Sequence, residues 1–146
     1  MNFSRIRRAL LAGVVATAAM TLMAYFVAPL MLGHPMDIAE MLAGLLGGSW
    51  MMGLSMHLTN GIVVFPIVYV FGLYNFLLGP PWLRGILWGV ALWLMLEVVI
   101  LPMTGAGVFS SNEGGGKPLM AALIAHLIYG ALLGSLAGHI AEPAAP

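Results

Sequence analysis

The run WLRGILWGVALWLMLEVVILPM (Trp82–Met103) decides the fold. A helix rises about 1.5 Å per residue, so this run covers the ~30 Å of a hydrocarbon core, and only one basic and one acidic residue interrupt it. Three further segments share its character: Ala9–Leu32, Trp50–Leu78 and Pro118–Ile140. Lipid satisfies no backbone amides, so each must cross as a helix. The expectation is an all-α membrane protein, a bundle of four transmembrane helices in a single domain, residues 1–146.

Composition narrows the rest. The chain is 62% hydrophobic and 7% charged, too little polar residue to coat a soluble domain. Formal net charge is +0, which gives no electrostatic case for nucleic acid. Cys is absent, which excludes disulfides, thiolate metal sites and cysteine nucleophiles. No G-x-S-x-G occurs in a strand–turn–helix setting.

Arg5, Arg7 and Arg8 precede the first segment, and Arg84 opens the third; Lys117 alone falls on the other side. The excess of Lys and Arg marks the cytoplasmic face, so both termini are expected inside. Trp50 and Trp82 stand at segment ends, where interfacial aromatics belong. The N-terminal apolar run is longer than a signal-peptide core and reads as a retained helix. Between segments one and two, HPMDIAEMLAGLLGG (His34–Gly48) spaces its apolar residues as a short amphipathic helix, with Asp37 and Glu40 near its start. Such a helix would lie in the outer interface. TGAGVFSSNEGGGK (Thr104–Lys117) is a glycine-rich loop without periodicity.

An internal repeat is legible. Sliding segment one onto segment three lays Gly13 on Gly85, Met23 on Met95, Met31 on Met103 and Gly33 on Gly105. Sliding segment two onto segment four lays Met51 on Met120, His57 on His126, Leu58 on Leu127 and Gly61 on Gly130. Two parallel hairpin repeats, about 9–78 and about 82–140, would then be related by an axis along the membrane normal. The pattern His-Leu-x-x-Gly recurs in both halves.

The rare polar residues within the spans are the candidate site. His57, His126 and Glu97 each fall roughly 9–12 Å inside the outer face, counted from the segment ends. Tyr25 occupies the repeat position of Glu97, and Asn60 lies three residues past His57. Buried ionisable groups turn inward and pair, so a Glu97–histidine contact gluing helices is one reading. A second is a bis-histidine haem b site for electron transfer, with His57 and His126 as ligands. Gly61 and Gly130 would then give the macrocycle room, with Glu97, Tyr25 and Asn60 behind the ligands. A third is copper or another metal held by His57, His126, Met52 and Met56, since thioethers suit Cu(I). Glu97 could also exchange protons in a small oligomeric transporter. Pro66 should kink the second helix. Gly130, Gly134 and Gly138 form a G-x-x-x-G ridge suited to a helix or subunit contact. His34 and His139 sit near the interfaces.

Taken together, PMDIAEMLAGLLGG, GPPWLRGILWG, LPMTGAGVF and HLIYGALLG resemble an uncharacterised family of small bacterial four-helix inner-membrane proteins. The resemblance implies that topology and a bacterial cytoplasmic membrane; it assigns no residue a role. The expected function is a non-enzymatic accessory or assembly subunit in the lipid bilayer, acting as a homo-oligomer or in a larger complex.

Overall fold

A computed structural model describes residues 3–138. Four helices in it are long and apolar enough to cross a membrane: α1 (Phe3–Leu32), α3 (Trp50–Leu73), α4 (Pro81–Thr104) and α5 (Gly116–Ala137). A short helix, α2 (Ile38–Leu46), joins α1 to α3, and a 3-10 turn (Val108–Ser110) lies between α4 and α5. The four expected spans are all present. Their edges differ: Arg5, Arg7 and Arg8 lie on α1 itself, α3 stops at Leu73, and Lys117 sits in the first turn of α5. His139 and Ile140 lie outside the described residues.

All four arginines gather at one end of the bundle. Arg8 Nε donates to Leu136 O (2.7 Å), tying the start of α1 to the close of α5. Arg84 covers the end of α3, with Nε donating to Gly79 O (2.7 Å) and its guanidinium 4.5 Å from the centre of the Tyr74 ring. Capping carbonyls with a cation satisfies acceptors that the helix leaves open. The other end carries α2.

Small residues set the packing. A Cβ on Gly85 would collide with Gly130 O, and one on Gly134 with Pro81 O. The glycine ridge of α5 is therefore filled from within the chain by α4. Gly13 of α1 faces Pro66 and the backbone of α3 in the same way. Ala9, Ala12, Ala16, Leu133 and Ala137 continue these close approaches, with Tyr69, Tyr74 and Tyr129 filling the centre. By contrast, α3 and α4 meet through side chains. Phe65 and Trp88 stand edge to face at 6.2 Å, and Tyr69 OH donates to Pro81 O (3.2 Å).

Three helices contain widened π turns, at Met23–Val27 in α1, Asn60–Val64 in α3 and Leu96–Ile100 in α4. Each is centred on the residue four before a proline: Tyr25 before Pro29, Ile62 before Pro66, Val98 before Pro102. A proline has no N–H for that carbonyl, and its ring presses against it, so the helix opens locally. A second π segment in α3, Val68–Leu73, begins two residues after Pro66 and has no proline of its own.

Candidate functional site

Between the halves of the helices nearest α2, and beneath it, lies a cavity of about 520 Å³. Its wall includes His57, His126, Glu97, Asn60, Met56 and Tyr129. Five features of local sequence shape it.

First, α2 is fixed as a roof. Gly33 (φ 83°) ends α1 in the left-handed region, and Gly47 (φ 62°) ends α2 in the same way. Asp37 caps α2 by accepting from Glu40 N (3.0 Å). The same carboxylate accepts from Tyr25 OH (2.7 Å) and from Trp50 Nε1 (3.0 Å). One side chain thus joins α1, α2 and α3. Gly53 of α3 touches the roof so closely that a Cβ would collide with Ala39 O. Burial pushes the Asp37 carboxyl up, but donors from Glu40, Tyr25, Trp50 and Ala39 pull it down further. The net shift is below the ordinary carboxylate value. Tyr25, expected behind the histidines, donates its hydroxyl to Asp37 and is not among the wall residues of the cavity.

Second, the two imidazoles share one cavity wall, but each has a helix partner. His57 Nε2 lies 2.9 Å from Thr21 Oγ1, and that hydroxyl gives its only proton to Thr17 O (2.8 Å). His57 Nε2 is therefore the donor. His126 is 9% exposed, with Nδ1 2.8 Å from Ala122 O. A carbonyl only accepts, so Nδ1 carries the proton and Nε2 keeps a lone pair.

Third, Glu97 takes its hydrogen bond from Ser110 and not from either histidine. It is 0% exposed, and its Oε2 accepts from Ser110 Oγ (2.9 Å). Its Oε1 has no partner. Ser110 is the residue that reading the sequence overlooks. It belongs to the glycine-rich loop, where periodicity says nothing. Gly107 (φ 80°) and left-handed Phe109 (φ 52°) and Ser110 (φ 54°) fold that loop back into the bundle. Left-handed backbone costs a non-glycine residue on the order of 1 kcal/mol. Burying Ser110 against Glu97 offsets it, and the more exposed Phe109 ring stands 6.2 Å from that of Trp93.

Fourth, Gly61 and Gly130 serve helix approach. A Cβ at Gly61 would strike Thr17 Oγ1, and one at Gly130 would strike Gly85 O. The room a macrocycle would use beside them is taken by α1 and α4. Met52 is exposed, with its sulfur beside Gly48, and is not on the cavity wall; Met56 is. Among the described residues no three His, Asp or Glu side chains converge as a metal ion would need.

Fifth, Tyr129 completes the backbone of α3. Phe65 N donates to Asn60 O across the wide turn, and Pro66 has no N–H, so Gly61 O has no helical donor. Tyr129 OH supplies one at 2.7 Å. Tyr129→Phe leaves that carbonyl orphaned in an apolar setting, and is expected to cost about 1–2 kcal/mol. Unfolding in detergent followed by circular dichroism measures it; an unchanged midpoint would mean the bond is dispensable.

Neither the curated proteins nor the solved structures contain a significant match to the chain. One family model does match, over residues 3–145, a span that takes in all four membrane helices, the roof and every wall residue of the cavity. On that extent the chain belongs to the family of unknown function DUF6789.

Proposed function

We propose that the chain is a non-enzymatic multi-pass membrane protein that holds a mainly apolar small molecule in the cavity beneath α2. The cavity carries this reading. Its volume, about 520 Å³, falls within the range of small-molecule sites, and a largely apolar wall is interspersed with polar and acidic side chains. His57 and His126 are each committed to helix partners, which suits a shaped receptacle better than a reacting centre. Such a protein serves a membrane process as an accessory component, alone or beside partner subunits.

The arginine end would face the cytoplasm of a bacterial inner membrane, with α2 in the opposite interface. Two hairpin repeats are supported by α1 and α4. Both pass through a wide turn, a proline and a left-handed glycine, Pro29 with Gly33 and Pro102 with Gly105. In the other pair, α3 has Pro66 where α5 has Ser135 under the alignment of His57 with His126.

Radiolabelled decanol added to the purified protein in lipid nanodiscs tests the receptacle. Saturable binding above that of empty nanodiscs is expected, and Leu96→Trp, which fills the cavity from α4, should weaken it about tenfold. Binding equal to empty discs would overturn the reading. The haem reading has one observation in its favour, the free Nε2 of His126. A Soret band lost in His126→Ala would install haem in place of the proposed ligand.

A further inference from the structure

We infer that the guest is an organic cation, an apolar body bearing one protonated amine that pairs with Glu97; this rests on the receptacle reading. Charge distribution is the first observation. Asp37, Glu40, Glu97 and Glu113 all line the cavity, and no Lys or Arg does. The chain has only five acidic residues, so four of them meet at one cavity. The arginines described above stand at the far end of the bundle. Lys117 stands at the cavity's end, next to the wall residue Pro118, but does not itself line the cavity.

The unmet oxygen is the second observation. Glu97 is fully buried, and Ser110 satisfies only Oε2. Oε1 has no donor. A buried acceptor of this kind is costly to leave unpaired, and an ammonium is its strongest complement because the hydrogen bond is charge-assisted. Asp37 is already engaged by Tyr25, Trp50 and the Glu40 amide, and Glu40 and Glu113 are exposed, so Glu97 is the buried wall carboxylate left with an unpaired oxygen. A bare metal ion is disfavoured, since no trio of ligating side chains converges among the described residues. Met20, Leu92, Met95, Leu96 and Ile100 offer an apolar bed for the remainder of the molecule. The thioethers among them adapt to varied shapes.

Decylamine and decanol share a chain and differ in charge, so the pair separates the inference from the reading beneath it. Both are measured on the full chain in nanodiscs of zwitterionic lipid, at a pH where the amine is protonated. Decylamine is expected to bind at least about tenfold tighter than decanol. Glu97→Gln keeps an acceptor for Ser110 but removes the charge. It should abolish that preference while leaving decanol binding intact, which also shows the variant is folded. Glu97→Asp should keep part of the preference. Equal binding of amine and alcohol, or an amine affinity untouched by Glu97→Gln, would overturn the cation while the cavity reading stands. Saturable binding of neither probe would overturn both.

Discussion

Gly85→Ala is expected to prevent stable folding, although it adds one methyl group. The new carbon would sit on Gly130 O, backbone against backbone, and no side-chain rotation relieves that contact. The helices must separate along the seam, which also includes Gly89 against His126 O and Gly134 against Pro81 O. Overpacking of a tight contact costs about 1–3 kcal/mol where side chains can yield, and about 3 kcal/mol or more is expected here. The matched control is Gly72→Ala in α3, where nothing lies within 4 Å of the added carbon. That change should be neutral or slightly stabilising, since alanine is the better helix former by about 1 kcal/mol. Yield of monodisperse protein and the unfolding midpoint of the two variants decide the matter. Similar behaviour would show that the α4–α5 seam is not close-packed.

Asp37→Ala is expected to release the roof. It removes the cap of α2 and two side-chain bonds at once, about 2–3 kcal/mol of local stability given that these bonds are partly open to solvent. Asp37→Asn keeps a capping oxygen and should lose less. Acid should mimic the alanine change. The folded carboxyl lies below its ordinary value, so its contribution is complete above the unfolded pKa of about 3.9. It is lost as pH falls through the lower, folded value. Trp50 emission reports the event, because its indole donates to Asp37. Hydrogen exchange across Ile38–Leu46 should rise in parallel. An α2 that stays protected in Asp37→Ala would show that Gly53 and the apolar face hold the roof unaided.

Much of this architecture was legible because lipid imposes simple rules. Length and apolarity located all four spans, and the spacing of Ile38, Met41, Leu42 and Leu45 announced the short helix. The boundaries were less legible. A helix continues through Arg5–Arg8 because long basic side chains reach past the apolar region, and hydropathy does not register that. Of the polar residues singled out, His57, His126, Glu97 and Asn60 share one cavity. Their partners were not legible. Thr21 answers His57, Ser110 answers Glu97, and Asp37 draws Tyr25 away. Such pairings depend on rotation about helix axes and on a loop held in left-handed backbone, neither of which leaves a periodic trace. Gly61 and Gly130 illustrate the same limit, since a gap in a sequence does not say what fills it.

The wide turns have a mechanical consequence. Each interrupts the regular ladder of helical hydrogen bonds and so makes a natural joint, and α1, α3 and α4 each have at least one. In α5 the spiral is regular from Gly116 to Ala137, and it is the most enclosed of the four spans. It is the one of the four spans without a widened turn, and motion that admits the proposed guest is expected to turn about it. Spin labels placed on α5 and on the outer ends of the jointed helices would see separations change, while a pair placed along α5 alone would keep its spacing.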